Sequence, residues 1–83
     1  MKLSKKLIKQ YIPNGFYDGT RLGGISLREN SYDLFYSENE GKYIMRTNSS
    51  NPLIGILRDN FDVIYVGRFW MHYDTYEIRL KKK

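Results

Sequence analysis

The sequence predicts an α+β domain: an antiparallel sheet of about five strands, with an N-terminal helix and a short second helix packed on one face, in the order α-β-β-β-α-β-β. Three observations carry that expectation. The first dozen residues repeat their apolar positions at helical spacing, residues 25–80 repeat theirs mostly in alternation, and the strand-like runs are separated by tight turns. Eighty-three residues give one domain, 1–83, with a single modest core.

Residues 3–12 read as an amphipathic helix. Leu3, Leu7, Ile8 and Tyr11 fall on one side, and Lys2, Lys5, Lys6 and Lys9 on the other. Ser4 is placed to cap its start, and Pro13-Asn14-Gly15 ends it. Four glycines between Gly15 and Gly24 predict an irregular connection. Ile25 and Leu27, alternating with Ser26 and Arg28, suggest a first strand, closed by a turn at Glu29-Asn30-Ser31.

A second strand covers Tyr32 to Ser37, with Tyr32, Leu34 and Tyr36 on one face and Phe35 on the other. Glu38-Asn39-Glu40-Gly41 is a hairpin signal in which Gly41 takes a positive φ. Lys42 to Thr47 returns as a third strand, sending Tyr43 and Met45 one way and Lys42, Ile44 and Arg46 the other. Asn51 as N-cap and Pro52 in the first helical position predict a helix over 52–58. Gly55 weakens it, so an extended course for Leu53 to Leu57 is the competitor. Phe61 to Met71 is a long aromatic and β-branched strand, with Gly67 marking a bulge. His72-Tyr73-Asp74 then turns the chain into a last strand, Thr75 to Leu80.

Composition argues about function mainly by exclusion. The chain has one histidine, His72, no cysteine and eight tyrosines. Without cysteine there is neither a disulfide nor a thiolate metal site, which favours the cytoplasm. No apolar stretch is long enough to span a membrane. Glu38 and Glu40 occupy a hairpin tip, and Asp59 and Asp62 flank a helix-to-strand junction. Neither pair has a third ligand at metal-binding spacing, so no metal or cofactor is expected. Asp74 lies two residues from His72, yet no serine stands in a nucleophile pattern. The expectation is a protein that is not an enzyme.

The net charge of +5 is concentrated at the ends, in Lys2, Lys5, Lys6 and Lys9 and in Lys81, Lys82 and Lys83. Such clusters suit an acidic protein face or nucleic acid, and they also serve solubility. The densest contact-prone segment is Arg68-Phe69-Trp70-Met71-His72-Tyr73. Strand alternation puts Arg68, Trp70 and His72 on one face and Phe69, Met71 and Tyr73 on the other, with Phe69 and Met71 as the core-facing set. Arg68, Trp70 and His72 would then be exposed, with Tyr73 and Arg79 nearby, as a binding face.

The expected function is a small non-catalytic binding protein, a modulator or inhibitor of the kind that phages and mobile elements direct at a host enzyme. Its partner would be a protein with an acidic or nucleic-acid-binding surface. The alternative is sequence-independent nucleic-acid binding, with Tyr32, Phe35, Tyr36, Tyr43 or Trp70 stacking on bases. A third reading is a metal-independent ribonuclease using Arg68, His72, Tyr73 and Arg79. The α-β-β-β-α order of residues 3–58 resembles in topology the double-stranded-RNA-binding fold and the small toxin ribonucleases built on it. It lacks their basic second helix, and no histidine lies in the first three strands.

Overall fold

The computed structural model describes residues 2–19, 30–48 and 50–81. In chain order it contains α1 (Lys5–Gln10), β1 (Tyr17–Asp18), β2 (Ser31–Ser37), β3 (Lys42–Asn48), α2 (Leu53–Arg58), β4 (Phe61–Trp70) and β5 (Tyr73–Leu80). The proposed strand around Ile25 to Arg28 lies outside the described residues.

Local chemistry explains both helices. Ser4 stays extended, and its hydroxyl accepts the Leu7 N–H at 3.1 Å, so α1 begins one residue later. Ile8 is fully buried, with Leu3 and Leu7 packed beside it, and Tyr11 meets Phe61 edge-on at 5.3 Å. Ser4→Ala should cost about 1 kcal/mol, seen as a lower urea midpoint at unchanged slope. An unchanged midpoint would mean that packing alone holds α1.

Residues 53–58 are helical rather than extended, and the helix starts one residue later than expected, with Pro52 and not Asn51 as the N-cap. The side chain of Asn51 explains how: its Oδ1 accepts the Leu53 N–H at 3.0 Å. Its Nδ2 reaches back to Thr47 Oγ1 at 2.9 Å and to the Ser31 carbonyl at 3.3 Å. Thr47, fully buried, donates to that same carbonyl at 3.0 Å. This buried network fastens the start of α2 to β2 and β3. At the other end, Lys81 Nζ donates to the carbonyls of Arg58 and Asp59, at 3.1 and 3.4 Å. A lysine there satisfies acceptors the helix leaves open and suits its negative end.

Among the described residues the sheet has five strands in the order β1-β2-β3-β5-β4. It is mixed, which corrects the antiparallel expectation. Tyr17 and Asp18 pair in parallel with Ser31 and Tyr32, while every other neighbouring pair is antiparallel. Because β5 runs antiparallel to both β3 and β4, those two run parallel to each other. Parallel strands need a crossover; α2 supplies it, and β5 fills the gap between them.

The two faces differ. Tyr32, Leu34, Met45, Phe61 and Ile78 point to the helices and join Ile8, Leu53, Ile54 and Leu57 in the core. The alternation expected for β2 and β3 holds, with Phe35 and Arg46 together on the opposite face. The β2–β3 hairpin closes with Gly41 at φ 67° and its N–H on the Ser37 carbonyl at 2.7 Å. The β4–β5 turn is made by Met71 and His72, earlier than expected, with Met71 at φ 49°.

Candidate binding face beside strand β4

Strand β4 decides the candidate site. It is ten residues long, and no strand lies beyond it among the described residues. The register against β5 slips twice, between Tyr65 and Gly67 and again between Arg68 and Trp70. The bulge at Gly67 was expected; the second was not. Each inserted residue reverses which face the following side chains take. Phe61, Val63 and Tyr65 align with Leu80, Ile78 and Tyr76, but beyond the first slip Gly67 aligns with Thr75 and Arg68 with Asp74.

The expected core-facing set is therefore wrong. Phe69 is 47% exposed and Met71 59% exposed, and neither belongs to the core. Phe69 lies over the face away from the helices, where its ring covers Arg46 with the guanidinium carbon 4.1 Å from the centroid. Phe35 flanks the same guanidinium at 5.2 Å. A guanidinium close to two aromatic rings is attracted to both π faces and loses rotational freedom. Around this stack a cleft of about 400 Å³ is lined by Phe35, Ile44, Arg46, Val66, Gly67 and Phe69, with Glu40 and Arg68 also at its walls. Along β4, Ile64, Tyr65 and Val66 are exposed as well.

The residues expected to bind do not all meet. Arg68 is exposed and turns to Asp74, with Nε 3.7 Å from Oδ1. Trp70 ends β4 opposite Tyr73, and its side chain lies outside the described residues. His72 is exposed in the turn, and Tyr73 is half-buried. Those four gather at one end of the β4–β5 hairpin. Arg79 sits six residues along β5 from Tyr73, about 20 Å away at the usual strand rise, so it is not part of that cluster.

Arg79 instead holds the buried Glu77 together with Lys42, whose Nζ is 3.4 Å from Glu77 Oε1. The hydrogen bond from Arg79, with help from Lys42, keeps the Glu77 carboxyl below its ordinary range despite burial. Its contribution to stability is present above the unfolded-state pKa and is lost as pH falls through the folded one.

Asp33 behaves in the opposite way. It is buried, its Oδ1 has no hydrogen-bond partner, and burial followed by repulsion from Asp18 raises its pKa, against the pull of Arg46 and Lys5. Stability linked to Asp33 is complete below the unfolded-state pKa and falls as pH rises through the folded one. Asp33→Asn should therefore stabilise the protein at pH 7, with the gain vanishing below about pH 3.9. Thermal melts across pH check this; a destabilised variant at pH 7 would mean the carboxylate is satisfied in solution.

The terminal lysines are partly committed within the fold. Lys5 and Lys9 pair with Asp18 at 3.1 and 2.9 Å, and Lys81 caps α2. Lys2 and Lys6 are exposed, and Lys82 and Lys83 lie outside the described residues. No group of three His, Asp or Glu side chains among the described residues is placed to hold a metal ion. No helix there is long and apolar enough to cross a membrane. The Arg46 stack was missed in the sequence, although Phe35 and Arg46 were expected on one face. Phe69 and Met71 were expected to face the core because they are apolar, but the reversal at the Gly67 bulge puts Phe69 on the face of Gly67 and Thr75. No protein-family model, curated protein or solved structure matches this chain.

Proposed function

We propose that the protein is a small, non-catalytic modulator that acts by binding another protein, an enzyme that handles nucleic acid being the favoured kind of partner. The observation that carries this is the exposure of Ile64, Tyr65, Val66 and Phe69 along one edge strand and of Met71 in the turn after it, at 38% to 59% each. Exposed apolar and aromatic side chains along one sheet edge, with Val66 and Phe69 beside Arg46 and Arg68, have the composition of an interface centre. The two bulges in β4 deform the edge, which discourages indiscriminate strand-to-strand growth and leaves recognition to side chains.

Direct nucleic-acid binding is less well supported. Lys5, Lys9 and Lys81 are engaged inside the fold, and Asp33, Glu40 and Glu77 stand on or beside the face a nucleic acid would have to cross.

Affinity capture from the source cell's lysate, with and without nuclease, tests the proposal against Val66→Asp. That side chain is 54% exposed, so the fold should tolerate the change. The expected result is a nuclease-resistant protein partner that Val66→Asp loses. Partners that all vanish with nuclease would overturn it.

A further inference from the structure

Arg46 forms no ion pair with a described carboxylate, although its charge acts on Asp33 across the strands. Its buried Nε–H has no hydrogen-bond partner. Asp33, its cross-strand neighbour, does not pair with it. Leaving a charged donor buried and unmatched is costly, and such groups call for an explanation. Phe35 and Phe69 both lie against this guanidinium, so its donors are ordered before any ligand arrives.

The cleft beside it has the matching shape. Gly67 and Thr75 are small and face each other across β4 and β5, leaving a depression between Val66 and the Arg46 stack. A Cβ added at Gly67 would meet nothing within 4 Å, and its φ is not in the left-handed region. The depression is therefore not required by packing.

We infer that this cleft takes the carboxylate of an Asp or Glu side chain on a partner protein, which pairs with Arg46 while Val66 and the Phe35 and Phe69 rings cover its aliphatic neighbours. The inference rests on the protein-binding proposal and names the chemistry of the partner segment. A planar carboxylate matches the guanidinium fork, giving paired charge-assisted hydrogen bonds. A nucleic-acid strand would bring one charge per phosphate past Glu40 and Asp33, whereas a single carboxylate between apolar residues brings one. The acidic side chain is thus the better occupant on both charge and apolar contact.

A random peptide display library selected on the immobilised full chain provides the test. Selected peptides should carry Asp or Glu next to Leu, Ile, Val or Phe. Their affinity should fall tenfold or more, about 1.4 kcal/mol, in both Arg46→Gln and Gly67→Leu. Gly67→Leu fills the depression while leaving Arg46 in the chain, so it remains informative if Arg46→Gln perturbs the fold, which circular dichroism would reveal. Selection without acidic residues, failure to enrich any peptide, or unchanged binding in Gly67→Leu would overturn the inference. So would displacement of selected peptides by a single-stranded oligonucleotide, or self-association that Gly67→Leu abolishes. If Val66→Asp loses a protein partner while Gly67→Leu keeps it, the cleft inference fails and the protein-binding proposal stands. If nuclease removes every partner, the proposal itself fails.

Discussion

Leu34→Ala is expected to remove about 3 kcal/mol of stability, the middle of the range for emptying a fully buried leucine site. Leu34 has no exposed surface and lies opposite Met45, also fully buried, in the cluster that holds Ile8 and Leu57. Helices cover it and sheet neighbours flank it, so little can move in to fill the hole. A chain of this size has about 5 kcal/mol to lose, so the variant should unfold at much lower urea. Val66→Ala is the control, since an exposed position typically changes stability by less than about 0.5 kcal/mol. Similar midpoints for the two variants would contradict the core described here.

Asn51→Ala should cost about 2 kcal/mol, through lost partners rather than lost volume. The change takes the acceptor from the Leu53 N–H and the donor from Thr47 Oγ1 and the Ser31 carbonyl, all at buried positions. Asn51→Asp separates the two roles: it keeps the acceptor for the Leu53 N–H at the start of α2 but cannot donate, so its urea midpoint should fall between wild type and Asn51→Ala. If Asp matched Asn, that acceptor alone would be responsible. If Asp were worse than Ala, repulsion between its carboxylate and the Ser31 carbonyl would dominate.

Much of the fold was legible because local signals and tertiary packing agree. Ser4, Gly41 and the Asn51-Pro52 pair mark boundaries through backbone chemistry that does not depend on distant residues. Alternation in β2 and β3 survives because both strands are regular and one of their faces is buried. The parallel β1 was not legible. Two residues carry no periodicity, and their pairing depends on where the chain passes, not on what they are. The insertion of β5 between β3 and β4 was equally hidden, since tight turns suggest that neighbours in sequence are neighbours in the sheet.

The candidate site failed at one identifiable point. The segment from Arg68 to Tyr73 was the right region, but the reversal at the Gly67 bulge puts Phe69 on the exposed face and over Arg46. Gly67 announces that slip, but the apolar character of Phe69 and Met71 argued for a core-facing set; nothing in Arg68-Phe69-Trp70 announces the second slip, after which Trp70 aligns with Tyr73. Arg79 drew attention by its charge and proximity in sequence, yet its partner is Glu77. Lys81 looked like a solvated tail residue and instead closes α2, because the C-terminus of β5 lies beside the end of that helix.

The surface beside β4 is proposed to bind protein through its apolar and aromatic side chains. The most direct test of that proposal is the equilibrium affinity of the captured partner for Phe69→Ala and for the Lys2→Gln/Lys6→Gln double variant, each at two salt concentrations. Phe69→Ala should weaken binding by about 2 kcal/mol at both salts, the scale of an interface hot spot. The lysine variant should lower only the association rate, and only at low salt, because exposed rim charges steer rather than hold. The opposite ranking would contradict the account: unchanged affinity in Phe69→Ala, with a large and steeply salt-dependent loss in the lysine variant, is the behaviour of a phosphate-backbone binder.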